Sequence, residues 1–298
     1  MRVATFTYRG ARSVCRLLPG GDHIQPIDLG SLGQQAGVLA LIDYAAGGGT
    51  LRDIGDPIPL KDIKLEAPIP KPRRNIFCVG KNYHEHAREF ARSGFDSSSS
   101  DPAKDAIPTA PIIFSKLPES VVGPGCAIKI DPRVSSAIDY EAELGVVIGR
   151  PGRHIAKADA LAHVWGYTII NDVTARDLQS RHKQWLIGKS QDTFCPMGPW
   201  LVSSIEFDLQ NTNVRCWVND ELRQDANTRD LIFDVPTLIE SISAGITLLP
   251  GDIIATGTPA GVGIGFNPPK YLQPGDKVRV EIDHIGVLEN PVAQWQAA

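Results

Sequence analysis

Residues 138–148 read Ile138-Asp139-Tyr140-Glu141-Ala142-Glu143-Leu144-Gly145-Val146-Val147-Ile148. The stretch from Glu141 to Ile148 has the composition of a β-strand. Side chains alternate faces on a strand, so Glu141 and Glu143 point the same way. Two neighbouring carboxylates on a strand that continues into Val-Val-Ile repel each other, and burial worsens the conflict. Two readings are open. Either this face is a hydrated edge, or a cation binds between the carboxylates, and hard oxygen ligands suit magnesium, manganese or calcium.

A second acidic group lies downstream. Tyr167-Thr168-Ile169-Ile170-Asn171-Asp172 is an apolar strand ending in Asp, and the helix-forming run Thr174-Ala175-Arg176-Asp177-Leu178-Gln179 follows at once. Asp172 therefore stands at a strand end, where functional groups collect. It could also cap the helix. Capping alone does not require Arg176, Gln179 and Lys183 at i, i+3, i+7 spacing, which places them on one helix face.

Outward from this centre, strands dominate. The expected strands are 76–79, 111–115, 141–148, 165–172, 214–218, 252–256 and 277–282, with helices at 82–93, 156–163, 174–185 and 235–244. Turn signals such as Asn219-Asp220 and Pro274-Gly275-Asp276 join several strands. The pattern predicts an α+β, β-rich sandwich or roll with helices outside, not a regular βαβ alternation. Residues 94–110 are polar and rich in breakers, and are expected to form a mobile loop.

The first 56 or so residues read as a small α/β unit: short strands at 3–8, 14–18 and 24–28, then a helix through Val38, Leu41 and Ile42 ended by Gly47-Gly48-Gly49. Pro57, Pro59, Pro68, Pro70 and Pro72 follow as an extended connector. The division expected is 1–70 for the small unit and connector, and 71–298 for the main domain.

The 298 residues suffice for one large domain plus one small one. Apolar residues at 42% and charged residues at 21% fit an ordinary globular chain. A net charge of −4 with no basic stripe makes nucleic acid and anionic membranes poor partners. No apolar stretch matches a membrane span or a secretory leader. The five cysteines are far apart with no Cys-x-x-Cys pair, which argues against disulfides and thiolate zinc and points to the reducing cytoplasm.

Five strings together carry a family resemblance: Val79-Gly80-Lys81-Asn82-Tyr83-His84-Glu85-His86-Ala87, Glu141-Ala142-Glu143, Asn171 through Gln179, Gly188-Lys189-Ser190-Gln191-Asp192 with Pro196 and Gly198-Pro199, and Thr256 through Gly263. In this order and spacing the chain resembles the fumarylacetoacetate hydrolase superfamily. The resemblance implies a mixed β-sandwich roll, usually a homodimer, with Mg2+ or Mn2+ on Glu141, Glu143 and Asp172; Ca2+ could substitute. The founding hydrolase carries a fourth acidic ligand, and the stretch around Val79-Gly80 offers none. That places the chain with the three-carboxylate branch of acylpyruvate hydrolases, decarboxylases and isomerases.

The resemblance also implies roles. His86 is the general base that activates water, and Glu89, three residues on, orients or polarises it. His84 is read as a surface residue. Lys189, in a loop-like Gly-Lys-Ser, meets a substrate oxyanion or carboxylate, where a cation stabilises developing charge. Arg176 and Gln179 are candidates to bind substrate oxygens, although Arg176 could instead pair with Asp177 or Glu143. The Gly-rich Thr256–Gly263 lacks the ending of a phosphate loop, so nucleotide binding is disfavoured, and its Thr258 hydroxyl is placed near substrate. Lys116 fits a position near the pocket mouth.

The expected reaction is metal-dependent hydrolysis of the C–C bond of a 2,4-dioxo acid, giving a 2-oxo acid and a carboxylic acid. The first rival is a decarboxylase or isomerase of a 2-oxo diacid on the same metal. The second is a non-catalytic, metal-stabilised binding protein, which a wide separation of His86, Glu89 and Lys189 from the carboxylates would favour.

Overall fold

The computed structural model describes residues 1–92 and 107–296. The expected mobile loop at 94–110 lies mostly outside these residues. Among the described residues, no helix is long and apolar enough to cross a membrane.

The Ala142–Ile148 strand is central. It pairs antiparallel with Val164–Asn171 on one side and with Ile253–Ala255 on the other. Every residue from Ala142 to Ile148 is buried, as expected of a strand covered on both faces. Leu144, Val146 and Ile148 face a core shared with Ile169, Val214, Cys216, Val280 and Ile282. Val147 faces the opposite way, into a second core with Val3, Val38, Leu41, Ile42 and Ile253.

These two cores separate three layers. The middle layer is a mixed sheet ordered Ile58–Pro59, His23–Ile27, Ala11–Leu17, Arg2–Tyr8, Cys195–Ser203, Val164–Asn171, Ala142–Ile148, Ile253–Ala255, Ile76–Gly80, Ile112–Lys116. One outer layer is a five-stranded sheet, Glu221–Asn227, Asn213–Val218, Lys277–Ile282, Gly286–Gln294, Ile128–Ile130. The other includes the Val38–Ala46 helix, whose buried face is Val38, Leu39, Ala40, Leu41 and Ile42. The sandwich expected from the sequence is thus present, and the sheets do not close into a barrel.

Several local expectations are corrected. The stretch expected as one helix at 174–185 is divided: Thr174–Ala175 bridges to Ile138–Asp139, the helix covers Arg176–His182, and a separate turn covers Leu186–Lys189. Lys183 ends the first helix with φ at +56°, and its side chain is exposed, so it does not share the buried face of Arg176 and Gln179. Residues Lys157–His163 form a 3-10 helix. The strands Cys195–Ser203, Glu221–Asn227 and Gly286–Gln294 were not foreseen.

Candidate active site

The site forms where the central strand starts. Glu141 stands one residue before it and Glu143 is its second residue, so period-two alternation sends both side chains the same way. Asp172 follows the neighbouring Val164–Asn171 strand, and its N–H donates to Glu141 O at 2.9 Å. That bond pins the two strand ends together. Glu141, Glu143 and Asp172 are all buried, with ligand oxygens within 4.8 Å of one another.

Three cations are buried with them. Lys189 Nζ donates to Glu141 Oε2 and Asp172 Oδ2, each at 2.8 Å. Arg176 Nη1 lies 2.8 Å from Glu141 Oε1. Lys116 Nζ lies 2.7 Å from Asp172 Oδ1 and donates to the carbonyls of Val173 and Lys189. Lys116 is fully buried behind the carboxylates, not at the pocket mouth that the family resemblance implied. Its two carbonyl partners draw it inward. Lys189 lies in a short helical turn instead of a loop.

Burial pushes the Glu141 carboxyl up, but Lys189 and Arg176 outweigh it and bring it down to about 2. Glu143 goes the other way. Burial, then the Asp172 and Glu141 charges, hold it well above the usual carboxylate range. Its one hydrogen-bond donor among the described residues is the Gly257 N–H, at 2.9 Å from Oε2. Gly257 has φ at +102°, and a Cβ there would meet Asn82 Cβ at 2.7 Å, so this close approach needs glycine. Burial acts to lower the Lys189 ammonium, but Asp172 and Glu141 raise it above the ordinary lysine value.

Charge and donor chemistry both fit a divalent cation. Glu141, Glu143 and Asp172 converge as three buried carboxylates with their oxygens within 4.8 Å of one another. Asp172 Oδ1 is buried and makes no hydrogen bond, because Lys116 approaches it outside hydrogen-bonding geometry. Glu143 has no cation partner among the described residues. An excess of buried, hard oxygen donors is what Mg2+, Mn2+ or Ca2+ satisfies.

A cleft opens beside these carboxylates, lined by Lys81, His86, Phe90, Phe114, Glu141, Arg176, Gln179, Trp185, Lys189 and Thr258 among others. The His84–Arg92 helix brings His86 to it. His86 is buried while His84 is exposed. His86 Nδ1 is 3.2 Å from Glu89 Oε2, and Glu89 also accepts from Gly261 N–H at 3.1 Å. With a carboxylate oxygen facing it, Nδ1 carries the ring hydrogen, leaving the Nε2 lone pair for chemistry. Asn82 anchors the start of this helix by donating to Phe233 O and Thr256 O.

Arg176 pairs with neither Asp177 nor Glu143, the partners considered from sequence. Its Nε donates to Asp139 Oδ2 at 2.8 Å, because the Ile138–Asp139 bridge lies directly against Thr174–Ala175. Its Nη1 donates to Gln179 Oε1 at 3.2 Å. Its Nη2 is buried with no hydrogen-bond partner, a donor held ready beside the cleft.

Asp139 was not singled out in the sequence, although an Asp between Ile138 and Tyr140 is itself a signal. Besides Arg176 it accepts from Gly263 N at 2.6 Å and Ile264 N at 3.0 Å. It therefore ties the guanidinium to the Gly-rich loop. Asp139→Ala leaves a buried guanidinium under-compensated and is expected to cost about 3–5 kcal/mol of stability. Urea unfolding measures this, and a loss below about 1 kcal/mol would remove Asp139 from that role. Lys81, Phe90, Phe114 and Trp185 are further cleft residues that sequence reasoning left unassigned.

The chain is similar to several known proteins. It is 54% identical over 235 residues to oxaloacetate tautomerase YisK of Bacillus subtilis, covering 78% of this chain and 74% of that protein. Among solved structures it resembles fumarylacetoacetate hydrolase from Exiguobacterium antarcticum with a TM-score of 0.82 and 38% identity, over 99% of this chain and 100% of that one. It also resembles maleylpyruvate hydrolase from Sphingobium sp. SYK-6, in complex with manganese (II) ion and pyruvate, with a TM-score of 0.74 and 31% identity over 99% and 100%. The fumarylacetoacetate (FAA) hydrolase C-terminal family matches residues 75–293, well over half the sequence, and the protein belongs to that family.

Proposed function

We propose that the protein is a divalent-metal-dependent isomerase of a 2-oxo diacid, acting on the keto–enol equilibrium of oxaloacetate or a close analogue. The observation that carries this reading is the 54% identity to an oxaloacetate tautomerase. It reverses the order of preference taken from the sequence, where C–C hydrolysis of a 2,4-dioxo acid came first.

Ketonisation removes one proton from the enol oxygen and adds one at C3. His86 serves this transfer through Nε2, with Glu89 holding the ring and stabilising the imidazolium that forms. Arg176, Gln179 and Thr258 bind substrate oxygens, and Lys189 balances charge beside them. Phe90, Phe114 and Trp185 line the same cleft and restrict water. A divalent cation held by Glu141, Glu143 and Asp172 would supply Lewis acidity, stabilising negative charge on the keto oxygen. In this proposal Lys116 supports Asp172 from behind and does not touch substrate.

Hydrolysis remains the second reading, favoured by the likeness to maleylpyruvate hydrolase and by a His–Glu pair that could equally activate water. The scaffold reading loses the observation that would have favoured it, because His86, Lys189 and Glu141 line one cleft. The homodimer implied by the resemblance is part of the proposal, and sedimentation equilibrium tests it.

The deciding experiment offers purified protein with Mg2+ three substrates. Enol-oxaloacetate is followed by loss of its ultraviolet absorbance, oxaloacetate by CO2 release, and acylpyruvates by pyruvate formation. Accelerated ketonisation that outpaces the other two reactions supports the proposal. Dominant acylpyruvate cleavage would return the assignment to the hydrolase.

A further inference from the structure

Gln224 lies in the Glu221–Asn227 strand and is fully buried. Its Oε1 accepts from Ala142 N–H at 3.0 Å, the amide between the carboxylate-bearing residues Glu141 and Glu143. Its Nε2 donates to Thr258 Oγ1 at 2.8 Å and to Pro259 O at 2.8 Å. Chemistry fixes this orientation of the amide. Exchanging its O and N would set a carbonyl against Pro259 O and an NH2 against the Ala142 N–H.

A consequence follows for Thr258. One of its lone pairs is taken by Gln224, so Thr258 is an acceptor on that side. No acceptor among the described residues takes its hydroxyl hydrogen. Thr258 is nearly fully buried and lines the cleft with Arg176 and Lys189. Among the described residues the hydrogen is therefore available to an acceptor in the cleft.

We propose that Gln224 is a positioning residue that sets the polarity of Thr258, making its hydroxyl a donor to an anionic oxygen of the ligand. The same amide holds the Thr258–Pro259 loop at a fixed distance from the carboxylate-bearing strand. The site thereby selects carboxylate or enolate oxygens at this position over neutral donors such as alcohols or amides. This refines the proposed 2-oxo diacid isomerase and rests on that reading only for the natural substrate.

The test is calorimetric binding of oxalate to the Mg2+-loaded protein, which needs no turnover. Thr258→Val is expected to weaken oxalate by about 10–100-fold, as loss of a hydrogen bond to a charged group does. Thr258→Ser keeps the hydroxyl and should stay within about 3-fold of wild type. Gln224→Glu keeps the shape and the Ala142 bond but presents an acceptor to Thr258, turning its hydrogen away from the ligand. Its added charge acts in both backgrounds, so a double-mutant cycle isolates the polarity effect.

Gln224→Glu should weaken oxalate by a further factor of about 10 in wild type relative to its effect in Thr258→Val. Gln224→Met supplies the same cycle without the charge, and either folded variant decides. Losses that simply multiply would overturn the proposal, as would Thr258→Val binding oxalate like wild type or a wild-type protein that does not bind oxalate at all. Coupled losses without oxaloacetate ketonisation would instead overturn the isomerase reading and leave the role of Gln224 standing.

Discussion

Asp172→Asn is expected to abolish Mg2+ and Mn2+ binding at working concentrations, and activity with it. Asp172 is fully buried between Lys116 and Lys189 and faces Glu141 and Glu143 across the site. Asparagine preserves its volume but replaces a buried anionic oxygen donor with a neutral amide. The attraction of the site for a divalent ion then weakens sharply. Losing a metal ligand should exceed the roughly 10–100-fold cost of losing a group that only supports a ligand. Alanine is the poorer test. It strands two buried ammonium groups, and breaking such pairs costs about 3–5 kcal/mol, so lost binding would be confused with unfolding. Titration calorimetry with Mn2+, alongside thermal unfolding of the same sample, makes the distinction. A folded Asp172→Asn protein with near-wild-type Mn2+ affinity would reject the carboxylate assignment.

His86→Ala is expected to lower ketonisation of oxaloacetate by about 10²–10⁴, the usual contribution of one acid–base group. Affinity for Mg2+ and oxalate should change little, because His86 contributes neither a ligand carboxylate nor a fixed cation. Glu89→Gln should give a milder loss, since the amide can still accept from Nδ1 but no longer stabilises the imidazolium. Both rates are measured at saturating Mg2+. If His86→Ala retains near-wild-type ketonisation, the proton is carried by another group, and Lys81 and Lys189, which share the cleft, become the candidates. If acylpyruvate cleavage falls while ketonisation does not, His86 serves water activation instead.

How much of this was readable in advance depends on the range of the interaction. Glu141 and Glu143 were legible because strand periodicity is local and two acids entering an apolar run are conspicuous. Asp172 stood out at a strand end, but its grouping with Glu141 and Glu143 came only from the family resemblance. The Cys195–Ser203 strand was missed because Pro196, Gly198 and Pro199 lie inside it, and such residues locally argue against a strand. Its order comes from long-range pairing with Val164–Asn171 and Arg2–Tyr8. Lys116 was placed at the pocket mouth on the family resemblance, and its burial could not be read locally because its partner Asp172 is remote in sequence. Gln224 sits in Glu-Leu-Arg-Gln-Asp-Ala-Asn, which looks like an ordinary solvent-facing hairpin. Only packing of the outer sheet against the central strand buries it.

The way the N-terminal strand joins the sheet has a consequence for handling the protein. Arg2–Tyr8 lies beside Cys195–Ser203, with Arg2 opposite Val202, Val3 opposite Leu201, and Ser203 N donating to Met1 O. Beyond it the sheet continues into Ala11–Leu17 and His23–Ile27. A chain cut back to residue 71 would present the Leu201–Ser203 segment as a bare edge, flanked by the apolar faces of Leu201 and Trp200. Such an edge recruits the strands of other molecules. A version shortened to residue 71 is therefore expected to self-associate through that edge even where its carboxylate centre is intact, which light scattering of the two proteins side by side would show.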